Sequence, residues 1–177
     1  MTDTTVPLDA SPQKRIEEAI ALFGEHQVAE RAASLLMGGN EGEEFLLWVG
    51  GRHAQAVLDG APPLYWPEVW GARALTFAWD DGAASAVHRG LGDQAWRVRE
   101  MCARVVFVRR LAETDAMLPL LDDPVARVRA AAARALGEVA SPSTTSATEK
   151  LTAALQDPEK DVRRAAHDAL VRLQKRA

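Results

Sequence analysis

Arginine recurs at positions 73, 104 and 134, and a similar interval carries the row on to Asp168. A planar guanidinium presents its donors as a fixed fork that matches a carboxylate or phosphate two by two. A row of arginines along one surface therefore suits capture of an anionic partner. A second row at the same interval reads Glu100, Ala130 and Arg164. Tyr65 and Trp66 form a third candidate, within the stretch GAPPLYWPEVW, because aromatic side chains beside proline on a loop make interaction anchors. The candidate partner-contacting set is thus Arg73, Arg104, Arg134, Glu100, Arg164, Tyr65 and Trp66. A simpler role stands beside each: a surface helix needs a polar face, and tryptophan is highly buried on average. The five tryptophans (48, 66, 70, 79 and 96) fall between residues 48 and 96, and filling the space beneath a long turn accounts for them as well as a binding patch does.

The sequence carries no catalytic signature. G-x-S-x-G and H-E-x-x-H are absent. One cysteine, Cys102, allows neither an internal disulfide nor a paired-cysteine metal site. His26, His53, His88 and His167 are scattered over separate segments. Asp80, Asp81 and His88 come within reach over two helical turns, but helix capping explains the acids at lower cost. Two adjacent glycines in VGGRH, Val49 to His53, could form a backbone nest for an anion, or mark a kink or close packing in a helix. The expectation is no catalytic residue, no metal and no cofactor.

The elements that position these residues are repeats. LGDQAWRVREMCARVVFV from Leu91, LDDPVARVRAAAARALGEV from Leu121 and LQDPEKDVRRAAHDALVRL from Leu155 align without gaps. Leu, Asp and Val-Arg coincide in all three, and the valines, Val98, Val128 and Val162, are 30 and 34 residues apart. This period marks stacked helical units, none able to bury its apolar face alone. Counting from each valine, offsets 0, 3, 4, 7 and 8 give Val98, Met101, Cys102, Val105 and Val106; Val128, Ala131, Ala132, Ala135 and Leu136; and Val162, Ala165, Ala166, Ala169 and Leu170. That is a helical apolar stripe, rich in small residues so that neighbouring helices can approach closely. Asp93, Asp123 and Asp157 stand where a carboxylate caps a helix, and Pro124 and Pro158 are assigned to the first turn. Fainter copies begin at Pro67 and Val28.

The motif Asp-x4-Val-Arg, in Asp93/Val98-Arg99, Asp123/Val128-Arg129 and Asp157/Val162-Arg163, resembles the HEAT family of α-solenoids. The short repeats are like those also found in phycobilisome-lyase-like proteins. The resemblance is carried by residues 91–175 and thins toward the amino terminus. It implies that Asp93, Asp123, Asp157, Arg99, Arg129 and Arg163 form a structural ladder, stopping near residue 90, and that the second helices line a concave groove. It implies an all-α, right-handed α–α superhelix of about five helix pairs. Residues 1–11 are expected as a disordered tail and 12–177 as one domain, with clear repeats at 80–110, 111–140 and 141–177 and degenerate ones at 12–40 and 41–79. Helices are expected at 13–24, 27–37, 42–59, 67–78, 82–90, 95–110, 114–121, 126–139, 146–156 and 160–175.

Composition bounds the function. The chain has 177 residues, 47% of them hydrophobic, and a formal charge of −4. Residues 1–90 hold 6 basic and 13 acidic side chains (net −7), and residues 91–177 hold 15 and 12 (net +3). An overall acidic chain disfavours nucleic acid as the partner. No run approaches the roughly 18 apolar residues a membrane span needs, and no secretory signal opens the chain, so a cytoplasmic protein is expected. The 17 arginines against 4 lysines fit a GC-rich bacterial genome. The expected function is a non-enzymatic interaction module or scaffold whose partner is another protein, engaged through an acidic segment. Two other classes stay open: a DNA-lesion enzyme similar to HEAT-like alkylpurine glycosylases, with Trp79-Asp80 and the arginine row against the base, and a lyase-type maturation factor, suggested by repeat type alone.

Overall fold

Every regular element among the described residues is helical. The computed structural model describes residues 5–177, and none of their helices is long and apolar enough to cross a membrane. Residues 12–177, expected as one domain, group into two compact units divided between Gly90 and Leu91, inside the repeat assigned to 80–110. Each is described by itself.

The amino-terminal unit holds six helices: α1 (Pro12–Phe23), α2 (Glu25–Leu36), α3 (Gly42–Gly50), α4 (Arg52–Leu58), α5 (Trp66–Ala74) and α6 (Ala84–Gly90), the last entered by a 3-10 turn at Asp81–Ala83. Ser11 caps α1 by accepting the Lys14 N–H at 3.2 Å, with Pro12 in the first turn. Val28, Ala29, Ala32, Leu35 and Leu36 form the buried stripe of α2, and α5 packs against it. The approach is close because position 71 is glycine: a Cβ there would lie 2.6 Å from the Ala32 carbonyl oxygen. Trp48 and Trp70 are buried in this unit, and the Phe23 ring meets Trp48 edge-on at 6.4 Å.

The helix expected over 42–59 is broken at Gly51, whose φ of +61° favours a residue without a side chain. The reason lies in α1. Arg15, 4% exposed, donates through Nε to the Trp48 carbonyl at 3.0 Å and through Nη1 to the carbonyls of Ala10 and Leu8. Its guanidinium occupies the space a Cβ on Gly51 would need, so the glycine pair of VGGRH is a helix break filled by a buried arginine. Burial holds that guanidinium below its ordinary pKa. The same contacts fix the segment before α1, and Arg52 pairs with Asp9. Of the tail expected as disordered over 1–11, residues 1–4 lie outside the described residues, and 8–10 are held by these bonds.

The carboxy-terminal unit holds α7 (Trp96–Arg109), α8 (Thr114–Met117) running into a 3-10 turn at Pro119–Asp122, α9 (Ala126–Val139), α10 (Thr145–Ala154) and α11 (Lys160–Arg176). α9 packs against both α7 and α11, which explains its composition. Besides the expected stripe, Ala130, Ala133 and Gly137 are buried too, because a helix sandwiched between two others has two apolar faces to hide. At the α9–α11 seam a Cβ on Gly137 would lie 2.6 Å from the Ala169 Cα. The stripe valines Val98, Val128 and Val162 are wholly buried, and of the fifteen stripe residues only Met101 and Leu170 are half-exposed.

The turns before α7, α9 and α11 correct the expected capping. The N-cap residues are Ala95, Val125 and Glu159, so Pro124 and Pro158 precede the cap instead of opening the helix. The aspartates stand two residues before the cap. Each carboxylate accepts the N–H two positions on, Asp93 from Ala95 at 2.7 Å, Asp123 from Val125 at 2.8 Å and Asp157 from Glu159 at 2.8 Å. An aspartate folded over its own backbone in this way fixes the turn and leaves oxygen lone pairs for a second donor.

Candidate functional site

Arginine supplies that second donor. Arg99 grips Asp123 with two bonds, Nε to Oδ2 at 2.7 Å and Nη2 to Oδ1 at 3.1 Å. Arg129 grips Asp157 identically at 2.7 and 2.9 Å. In each case Nη1 turns back to its own repeat: Arg99 to the carbonyls of Asp93 and Gln94 at 2.7 and 3.0 Å, Arg129 to those of Asp123 and Pro124 at 2.9 and 3.4 Å. Each arginine thus staples the turn of its own repeat to that of the next. The side chains are 4–14% exposed. Hydrogen bonds from Arg129 hold the Asp157 carboxyl below its ordinary pKa, and Asp157 raises that of Arg129. The Asp93 carboxylate has no arginine partner among the described residues, and the Arg163 guanidinium no hydrogen-bonded acid.

On the same helices a different face stays open. Glu100, Arg104 and Phe107 of α7 and Ala131 and Arg134 of α9 line a groove of about 340 Å³. An adjoining hollow of about 490 Å³ is lined by Glu100, Ala126, Arg127, Ala130 and Arg134, with Glu159 and Asp161 at the start of α11. Arg127 is engaged here: its Nε reaches Glu100 at 3.0 Å, and its guanidinium lies 5.4 Å from the Trp96 ring centroid. Arg164 pairs with Asp161 at 3.1 Å, and Arg172 covers the Phe107 ring at 5.6 Å. Arg104 and Arg134 are exposed and have neither an ion-pair nor a hydrogen-bond partner among the described residues. The site therefore pairs two uncommitted guanidinium forks with an apolar floor of Phe107 and Ala131. Asp168 is exposed as expected, beside His167, and Ala130 is buried.

Arg73 departs from this pattern. It lies in the other unit, is half-buried, and donates from Nη2 to the Val49 carbonyl at 2.7 Å. Burial, with the like charge of Arg15 beside it, pushes its pKa down to about 10. Arg73 and Arg15 together satisfy the last carbonyls of α3, where cations meet the negative end of the helix. Its position in the sequence row had placed it on an exposed helix face; the tight α2–α5 packing takes it inward. Tyr65 and Trp66 are half-buried in a stack in which Trp66 lies 6.4 Å from the buried Trp70 and 5.6 Å from Tyr65. Leu64 is the large apolar side chain that this loop leaves exposed, at 68%.

Trp79 and Asp80 belong to a turn. Glu25 accepts the Trp79 backbone N–H at 3.0 Å, Asp81 accepts its indole N–H at 3.0 Å, and Asp80 caps the 3-10 turn through the Gly82 N–H while meeting His26 at 2.8 Å. Cys102 is fully buried and its thiol pKa is driven upward by desolvation, which leaves it without a thiolate nucleophile. Among the described residues no group of three or more histidine, cysteine, aspartate or glutamate side chains could hold a metal ion.

The groove adds residues that the arginine rows did not flag: Phe107, Arg127, Glu159, Asp161 and Arg172. A signal for two of them was present. Phe107 occupies the repeat position of Gly137 and Val171, and Arg127 that of Arg97 and Asp161, and both positions flank the stripe.

Residues 114–177 match the family model of HEAT repeats. No curated protein matches the sequence.

Proposed function

We propose that this chain, whose residues 114–177 match the HEAT-repeat model, is a non-enzymatic protein-interaction module that captures an acidic segment of a partner protein in the groove of its carboxy-terminal unit. The observation that carries the reading is the pair Arg104 and Arg134, unpaired beside the Phe107–Ala131 floor. Other cations around the groove already have work: Arg127 holds Glu100, Arg164 holds Asp161 and Arg172 covers Phe107. Two guanidinium forks left over beside an apolar floor suit a segment that alternates carboxylates with one or two apolar side chains. Acidic side chains at the far end of the hollow, Glu159 and Asp161, would repel a segment laid too far toward α11 and so fix its placement. With the one cysteine, Cys102, buried, a binding role fits the inventory better than a chemical one.

The test uses three fluorescent peptides of equal apolar content carrying Glu, Gln or Lys at the charged positions. The Glu peptide is expected to bind best. Two partly exposed arginine–carboxylate contacts are worth about 1–2 kcal/mol together, or roughly five- to thirtyfold in affinity. The double variant Arg104→Glu/Arg134→Glu should lose that margin and prefer the Lys peptide, with unchanged helical content because both side chains point to water. Equal binding of all three peptides, or an unaltered preference in the variant, overturns the proposal.

A further inference from the structure

The third arginine of the ladder, Arg163, meets no carboxylate among the described residues. We propose that Arg163 is a carboxylate-binding site that takes an aspartate presented by a tight turn of a partner protein. Arg163 keeps one half of the arrangement found at Arg99 and Arg129: its Nη1 donates to the Asp157 carbonyl at 2.7 Å and to the Pro158 carbonyl at 2.8 Å. In the two filled rungs those bonds aim Nε and Nη2 outward, and a carboxylate of the next turn receives both. At Arg163 no described residue does. The guanidinium is half-buried and pre-oriented, so little side-chain entropy remains to be lost when an anion arrives.

Three features define the ligand. Both occupied forks hold a planar carboxylate, not a tetrahedral anion. Asp157 lies close enough for Arg163 to help hold its carboxyl in the charged form, so a dianionic phosphate at the fork would meet more repulsion than a single carboxylate would. In both occupied rungs the aspartate is itself pinned by the N–H two residues on, which leaves its outer lone pairs facing the arginine.

The face of α11 says what kind of body brings that aspartate. Ala130, Ala133 and Gly137 form the stripe of small residues that α9 turns toward α11, as the Gly137–Ala169 contact shows. The equivalent residues of α11 are Arg164, His167 and Val171, and the first two are exposed. A helix pair cannot lie on α11 as closely as α11 lies on α9. The occupant therefore reaches Arg163 with a turn, not with a whole stacked repeat. This site is separate from the pair Arg104 and Arg134, and the function proposed above stands or falls without it.

The test follows the arginine Nε–Hε signals of the full chain by NMR. The probe is the capped peptide Ac-Leu-Asp-Asp-Pro-Val-Ala-NH2, which copies the turn around Asp123. Inorganic phosphate and sodium chloride are titrated in parallel. The Arg163 signal is expected to shift saturably with the peptide, while Arg99 and Arg129, whose forks are filled, stay still. Changing both aspartates of the peptide to asparagine should abolish the shift. In Arg163→Lys, which keeps the charge and loses the fork, the peptide-induced shifts of the Glu159 and Lys160 amides should need about tenfold more peptide. A shift no larger than with chloride, tighter saturation by phosphate than by peptide, or full retention with the asparagine peptide or in the lysine variant overturns the proposal.

Discussion

Removing Arg129 is the sharpest test of what holds the carboxy-terminal unit together. Arg129→Ala deletes two bonds to Asp157 and the bond to the Asp123 carbonyl, and it leaves the Asp157 carboxylate, whose side chain is 10% exposed, with the Glu159 N–H alone. An exposed pair is worth about 0–1 kcal/mol; breaking a fully buried one costs about 3–5 kcal/mol. With both side chains 10–14% exposed, the expectation lies nearer the buried limit, at about 2–4 kcal/mol. For a chain of this length each kcal/mol lowers the melting temperature by roughly 2–4 °C, so Arg129→Ala should melt about 4–16 °C below the parent, read by circular dichroism. Arg129→Lys should recover less than half of the loss, because an ammonium cannot fill two acceptors at once. The pairing term itself comes from the cycle of Arg129→Ala, Asp157→Asn and the double variant. The pH dependence follows from the carboxylate. Its folded pKa is depressed by Arg129, so this contribution is fully present above the unfolded value near 3.9 and is lost as pH falls through the lower folded value. An Arg129→Ala melting temperature within 1 °C of the parent, or a coupling energy below about 0.5 kcal/mol, would refute the reasoning.

Two other perturbations address single seams. Gly137→Ala gains up to about 1 kcal/mol of helix propensity, but its Cβ would meet Ala169 backbone at 2.6 Å; overpacking of that kind costs about 1–3 kcal/mol, so denaturant unfolding should show a net loss. His26 is exposed yet hydrogen-bonded to Asp80, which raises its pKa above 6.5, with Glu30 adding a smaller push. Its clamp on the 79–82 turn is therefore complete below pH 6.5 and released as pH rises through the folded value. Histidine NMR titration should show the raised value and its return to normal in Asp80→Asn; an unaltered titration in that variant refutes the clamp.

How much of this was legible in the sequence varies with what each position must satisfy. Val98, Val128 and Val162 recur because every second helix must bury the same spot, and a requirement repeated three times leaves a period that can be read. The pairing of Arg99 with Asp123 and of Arg129 with Asp157 has the same origin, one turn stapled to the next. Arg73 was misplaced because its row assumed that one helix register holds throughout the chain. In the amino-terminal unit the neighbours are different: Gly71 lets α5 sink onto α2, and Arg73 turns to the end of α3. The break at Gly51 was out of reach for a related reason. Its cause is Arg15, 36 positions earlier in the chain, and no local pattern announces a buried guanidinium that closes another helix's end.

The groove illustrates why recognition is harder to read than architecture. Arg99 and Arg104 sit on one helix and are the same residue type, yet Arg99 is spent on Asp123, whereas Arg104 meets no acid. Composition cannot separate them. What separates them is phase: the position one residue after the stripe valine faces the next turn at Arg99 and Arg129, so its partner is supplied by the fold. Six residues after that valine, the side chain faces water, and the fold supplies nothing. There Arg104 and Arg134 are followed by Asp168. A position whose occupant changes sign within one unit is not under the stacking constraint, and its residues are free to be set by whatever the protein binds. The same logic places the interest of Arg163 elsewhere. It stands at a stacking position, carries the stacking residue, and lacks the acid that its two counterparts hold.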